Sequence, residues 1–214
     1  MSRFRSVAFD LDSTLSALEG IDWLAARRSS AVAAEVAELT RKAMDGELPI
    51  DELYGRRLEI VRPTRDEISA LGAAYVDAAV PGARSVVGRF RAAGIRLVIV
   101  SGGLREAILP FAVSLGFAPA DVHAVGIRHD LEGNYAGWET TSPLATPTGK
   151  GTVLRALALP TPLLGVGDGT TDLAMRDAGA EVAAFTGVVS RENVVRQADH
   201  AAATFDDLSA LVLV

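Results

Sequence analysis

Apolar residues cluster in short runs that recur along the chain with polar stops after them. The runs at 6–9, 96–100 and 163–166 read as buried strands, with shorter ones at 122–127 and 181–184. Helical spacing fills the gaps. The stretch 83–93 carries Val86, Val87 and Phe90 on one face and stops at Gly94; 105–115 stops at Gly116 and 152–159 at Pro160. Strands alternating with helices predict an α/β fold, a Rossmann-like parallel sheet with helices on both faces. Glu132-Gly133-Asn134, inside 130–138, sits between short polar–apolar alternations and predicts a hairpin.

The segment 15–79 breaks this rhythm. It has no strand-like run, and its apolar positions (Ile21, Leu24, Ala25; Val32, Val36, Leu39) follow a helical period. Turn signals at Asp45-Gly46, Pro49 and Pro63 divide it into three or four helices. The expected organisation is therefore a core of residues 1–14 and 80–214, with 15–79 as a helical insertion after the first strand.

Composition narrows the partner classes. The net charge is −6, with no cysteine among 214 residues. An acidic chain lacks the basic face that nucleic-acid binding needs. No run approaches the ~20 apolar residues of a membrane span, and the first strand begins too early to leave room for a signal peptide. Without thiols, disulfides, thiolate zinc sites and cysteine nucleophiles are excluded. A cytoplasmic protein, monomer or homodimer, is expected. The 21 basic residues include only two lysines, Lys42 and Lys150. Lys42 sits in an Arg41-Lys42 pair of exposed character, whereas Lys150 lies between two glycines.

In open α/β sheets, ligands bind beyond the carboxyl ends of the strands. Those positions hold Asp10-Leu11-Asp12-Ser13-Thr14, Ser101-Gly102-Gly103 and Gly167-Asp168-Gly169-Thr170-Thr171-Asp172, and a helix start adds Gly149-Lys150-Gly151. Each alone has a bland reading: a polar loop, a turn, a capping carboxylate, a solvated lysine. Together they bring carboxylates, a lysine, a serine and glycine amides to one edge. That set suits metal-assisted phosphoryl transfer. Carboxylates make an oxygen-only Mg²⁺ site, and one can act as nucleophile. Another can act as acid and base, while amides and a lysine hold phosphate oxygens.

With these motifs the chain resembles the haloacid dehalogenase-like phosphatases, and within them the phosphoserine phosphatase family, over nearly its whole length. Further similarity lies in Glu19-Gly20-Ile21-Asp22 and Gly133-Asn134-Tyr135-Ala136-Gly137. The resemblance implies a small helical cap inserted after the first motif. It implies Asp10 as nucleophile and Mg²⁺ ligand, and Asp12 as general acid then base with its carbonyl on the metal. Asp168 would complete the protein ligands, and Asp172 and Thr14 would support the site. Ser101, Gly102, Lys150 and Thr171 would bind the phosphate end. In the cap, Glu19 would meet an ammonium and Arg57 a carboxylate, with Met44 and Ile50 as an apolar wall; the neighbouring Arg56 leaves the arginine assignment open.

The implied activity is hydrolysis of O-phospho-L-serine to serine and phosphate through an aspartyl phosphate, in serine biosynthesis. The alternatives are another small phosphomonoester, or phosphoryl transfer to a small alcohol. A phosphorylatable signalling module is a third reading, but such domains are typically shorter and lack a cap. Two positions depart from the family pattern. Ile50 replaces a frequent phenylalanine, and Val125 replaces an asparagine, which would shift recognition near the phosphate or leaving group.

Overall fold

The computed structural model describes residues 2–44 and 50–213, without the side chains of 43, 44 and 50–52. In chain order the elements are β1 (Ser6–Phe9), α1 (Gly20–Ala25), α2 (Ser30–Met44), α3 (Ile50–Val61), α4 (Arg65–Asp77) and α5 (Ala83–Ala92). Then come β2 (Arg96–Leu104), α6 (Arg105–Leu115), β3 (Val122–Val125), β4 (Ile127–His129), β5 (Tyr135–Trp138) and α7 (Gly149–Leu157). The chain ends with β6 (Leu163–Gly167), α8 (Thr170–Leu173), β7 (Ala180–Phe185), α9 (Glu192–Val195), β8 (His200–Ala202) and α10 (Phe205–Val212).

Six of these strands form one sheet in the order β3-β2-β1-β6-β7-β8, and every pair in it is parallel. β1 is central, with Phe9 opposite Ile99 on one side and Val166 on the other. Its four residues are all buried because helices cover the sheet, which is why the strand reads as an unbroken apolar run. Phe9 anchors the core beneath the strand end: its ring stacks with Phe90 and meets Phe117 edge-on, each at 6.4 Å between centroids. The chain winds outward through β2 and β3, then returns to wind the other way through β6 to β8. The direction changes between β1 and β6, the place where such sheets bind ligands.

Some elements differ from the sequence expectation. β2 runs on through Ser101, Gly102 and Gly103 to Leu104, with a register shift between Val100 and Leu104 against β3. These residues are therefore an irregular strand end and not a loop after it. The run 122–127 divides into β3 and β4 at Gly126, and β4 pairs antiparallel with β5 as the expected hairpin. β8 and α10 were not anticipated, since three residues of strand leave no periodic signature.

Residues 15–79 supply α1 to α4. The Asp45-Gly46 and Pro49 turn signals lie outside the described residues, while Pro63 precedes α4, whose start is fixed by a Thr64/Glu67 capping box. The two connections to the core pair with each other: Ala17 N donates to Ala78 O at 2.9 Å and Val80 N to Leu15 O at 3.0 Å. α4 packs along α6, so it sits directly on the core.

α7 starts at Gly149, at the helix start expected around Gly149-Lys150-Gly151 and three residues before the apolar stretch 152–159, and ends at Leu157 with Ala158 in the left-handed region (φ 47°). The reason lies in its first turn, which presses on the preceding 143–145 turn. A Cβ on Gly149 would fall 1.7 Å from the Pro143 carbonyl oxygen. Only glycine permits that approach, and it sets where Lys150 begins. Gly149→Ala is expected to lower unfolding free energy by ~1–3 kcal/mol or more, read by urea denaturation. An unchanged midpoint would show that α7 is not held there.

Candidate active site

Asp10 follows β1 directly, its amide donating to Val166 O at 2.8 Å, so the ladder carries it to the sheet edge. Lys150, only 4% exposed, lies between two carboxylates, 2.9 Å from Asp10 Oδ2 and 2.6 Å from Asp172 Oδ1. Burial works against its charge, but the two carboxylates outweigh this and hold its pKa above the usual lysine value. Lys42, by contrast, is a surface partner of Glu38 one helical turn away.

Asp10, Asp168 and Asp172 each present a carboxylate oxygen within 4.8 Å of the others, all buried. Burial first, then Asp172 and Asp10, push Asp168 up to about 8; burial, partly offset by Lys150, pushes Asp172 up to about 6. Asp10 Oδ1 is buried with no hydrogen-bond partner. An orphaned carboxylate oxygen beside further crowded carboxylates, all hard oxygen donors, fits a divalent cation such as Mg²⁺. Asp172 has both oxygens engaged, Oδ1 by Lys150 and Oδ2 by the Gly169 amide at 2.9 Å. Of the three, Asp10 keeps a buried oxygen with no hydrogen-bond partner. Asp168 Oδ2 is met by Arg191 Nε at 3.1 Å.

Asp12 lies outside that carboxylate cluster. Its Oδ2 accepts from the Gly20 amide at 3.0 Å and its Oδ1 from the Tyr75 hydroxyl at 2.7 Å. Burial raises its pKa to about 6 against the lowering effect of these two donors, with the Asp10 charge adding to the rise. A carboxyl that titrates near neutrality suits proton transfer in both directions. Between Asp12 and α1 the chain turns at Ser13, which holds a left-handed φ of 51°, and its hydroxyl donates to Glu19 Oε1 at 2.8 Å. Burial, then the Asp12 and Asp168 charges, raise the Glu19 pKa well above its ordinary value.

A narrow cavity of about 40 Å³ joins these groups to the insertion; it is lined by Asp10, Asp12, Glu19, Ile21, Asp22, Arg57, Ser101, Gly102, Gly103, Leu144, Lys150, Asp168 and Thr171. Of the two neighbouring arginines, Arg57 lines this cavity and Arg56 does not. Arg57 is buried and donates to Thr40 Oγ1 at 2.8 Å, and Thr40 donates to Asp22 Oδ1 at 2.6 Å. Arg57 Nε has no partner, while Arg56 is exposed and pairs with Glu35. Ser101 Oγ accepts from the Gly103 amide at 3.0 Å. Thr14 is buried nearby in sequence, its Oγ1 without a partner.

Met44 and Ile50 have side chains outside the described residues. Val125 is fully buried in β3 and is not among the cavity-lining residues, so its replacement of asparagine alters the core side of the strand and not the cavity wall. Sequence reasoning missed Tyr75, Arg191 and the Asp22–Thr40 pair. Asp22 stood within a quoted motif, but Tyr75 and Arg191 carried no motif of their own.

Residues 7–176 match the model of the haloacid dehalogenase-like hydrolases. The mouse phosphoserine phosphatase is 34% identical over 192 residues, covering 88% of this chain and 84% of the mouse protein. A phosphoserine phosphohydrolase-like protein of Francisella tularensis superposes with a TM-score of 0.89 at 24% identity, covering 97% of this chain and 99% of that one. A phosphoserine phosphatase carrying a phospho-aspartyl intermediate analogue superposes with a TM-score of 0.76 at 25% identity, covering 94% and 93% of the two chains. Among the described residues no helix is long and apolar enough to cross a membrane. A parallel sheet with paired carboxylates and a buried lysine at its switch point, together with these similarities over most of the chain, places this phosphatase in the haloacid dehalogenase-like hydrolases and, within them, in the phosphoserine phosphatase family.

Proposed function

We propose that the protein is a cytoplasmic, Mg²⁺-dependent enzyme that hydrolyses O-phospho-L-serine to serine and phosphate, the last step of serine synthesis by the phosphorylated route. The observation that carries the reading is the Asp10 carboxylate, held by Lys150 through Oδ2 while Oδ1 stays buried and unpartnered. Asp10 attacks phosphorus, forming an aspartyl phosphate as the ester P–O bond breaks. Asp12 gives its proton to the departing serine oxygen. It then takes a proton from the water that attacks phosphorus, and the Asp10 carboxylate leaves. Ser101, the Gly102 amide, Thr171 and Lys150 hold the phosphate oxygens.

Asp10, Asp168 and the Asp12 carbonyl would hold the cation, with Asp172 and Thr14 in support. When bound, Mg²⁺ supplies charge neutralisation at the phosphoryl oxygens. The insertion acts as a cap whose closure excludes bulk water. It faces the site with Glu19, a match for the substrate ammonium, and Arg57, whose unpartnered Nε is available to the carboxylate. With Asp22 also in the wall, the lining holds five acidic side chains beside Lys150 and Arg57. Crowding and burial raise the pKa of several of them, and a bound cation or a substrate ammonium favours their ionised forms.

A phosphate-release assay over phosphoserine, phosphothreonine, phosphoethanolamine and sugar phosphates tests the substrate. Phosphoserine should be preferred and Asp10→Asn should abolish turnover; equal rates on all amino-acid esters would refute the specificity. Arg57→Ala and Glu19→Gln should each raise KM for phosphoserine by about 10- to 100-fold, the worth of a charge-assisted hydrogen bond. An unchanged KM would remove those residues from the substrate site.

The Asp168 carboxyl also makes stability depend on pH. Its folded pKa, about 8, lies above the ordinary 3.8, so its contribution is greatest below 3.8 and is lost as pH rises towards 8. In chelator, the thermal midpoint of the protein should fall between pH 6 and pH 8, and this fall should shrink in Asp168→Asn or with Mg²⁺ added. An equal fall in all three would place its cause elsewhere.

A further inference from the structure

Asp12 is held by two donors that come from different parts of the chain. Gly20 belongs to α1, the first helix of the insertion, whereas Tyr75 lies near the end of α4, the helix that packs on α6. The Tyr75 ring is fully buried and stacks on Phe111 with centroids 6.4 Å apart and planes 14° apart. Its carbonyl accepts from the Ser16 hydroxyl in the linker to the insertion. The phenol is thus fixed by core packing on one face and by the linker at its backbone.

The terminal torsion of an aspartate is broad, so packing alone does not set the plane of its carboxyl. A single donor leaves rotation about that bond nearly free. Two donors on the two oxygens fix the plane, and each oxygen keeps a second lone-pair direction for the reaction. Gly20 shows that this arrangement is built in. A Cβ at that position would lie 2.1 Å from the Tyr75 hydroxyl oxygen, 3.1 Å from Cζ and 3.3 Å from Leu71 Cδ2. The absence of a side chain at Gly20 therefore makes room first for the hydroxyl, the one approach under 3.0 Å, with the ring edge and Leu71 packed tightly beside it. The same residue donates the second hydrogen bond from its amide.

We infer that Tyr75 is a positioning residue for the reaction: its hydroxyl, in the space left by Gly20, sets the orientation in which the Asp12 carboxyl meets the leaving oxygen and then the attacking water. This rests on the reading of Asp12 as acid and base. It does not depend on which ester is the substrate, because Asp12 faces the leaving oxygen of any of them. A misaligned proton donor lowers the rate of the chemical step and leaves ground-state binding intact.

The test uses the full chain with Mg²⁺, and phosphoserine and phosphoethanolamine as substrates. Tyr75→Phe keeps the ring and removes one oxygen. On each ester that the unmodified protein turns over, kcat should fall by about 10- to 100-fold, the loss of one hydrogen bond to a charged group. KM should stay within about threefold. Gly20→Ala should lower kcat similarly in the unmodified background. It should cost less in Tyr75→Phe than alone, since the closest collision, with the hydroxyl, is gone; it also serves as an independent variant should Tyr75→Phe fold poorly. An unchanged kcat in Tyr75→Phe, a loss appearing equally in KM, or losses that multiply in the double variant would overturn the inference. Asp12→Asn is assayed in parallel. If it retains turnover, the acid–base reading itself fails and Tyr75 with it. If it loses turnover while Tyr75→Phe does not, only the role of Tyr75 fails.

Discussion

The buried ammonium of Lys150, between Asp10 and Asp172, is the contact on which the rest of the site depends. An unpaired charge there would be prohibitively costly, and removing one partner of a buried pair typically costs ~3–5 kcal/mol. The geometry meets that demand from two directions, with one carboxylate following β1 and the other on α8 after β6. The lysine thereby ties together the two strands that flank the switch point. It also gives a reason for this lysine, one of only two in a chain with nineteen arginines. A compact ammonium fits between two carboxylates in the tight first turn of α7, where Gly149 presses against Pro143, while a planar guanidinium would not. Lys150 and the Gly169 amide occupy both oxygens of Asp172, which supports the proposed auxiliary role for it, while Asp10 keeps one buried oxygen without a partner.

The second half of the site comes from the insertion. Its helices bring Glu19, Asp22 and Arg57 against the sheet edge, with Thr40 linking Asp22 to Arg57. In the proposed function, chemistry belongs to the sheet edge and recognition to the insertion, and Asp12, held by Gly20 and Tyr75, stands between them. On the same proposal, the acids gathered in the lining are balanced by a divalent cation and a substrate ammonium.

Much of this was legible in the sequence because its carriers are local. The buried strand at 6–9 and the helix at 105–115 match the structure residue for residue, since an unbroken apolar run and a glycine stop are short-range signals. Asp10, Asp12, Lys150, Asp168 and Asp172 lie in short motifs at element ends. What was not legible depends on distant contacts. Tyr75 reaches Asp12 across 63 positions, and on its own helix it reads as one more apolar core residue. Arg191 reaches Asp168 across 23 positions and is one of nineteen arginines. Ser101 was placed after its strand and not within it because the extension arises from a register shift against β3. Val125 was read as a recognition position because its direction from the strand could not be seen along the chain.

In the proposed function, Asp10, held by Lys150, carries the phosphoryl group during turnover. The most direct measurement is rapid acid quenching of the protein with Mg²⁺ and phosphoserine, followed by peptide mass mapping. The account predicts a phosphoryl adduct, labile to hydroxylamine, on the peptide containing Asp10 and absent from Asp10→Asn. Turnover with no adduct at any quench time, or with the adduct on another residue, would contradict it.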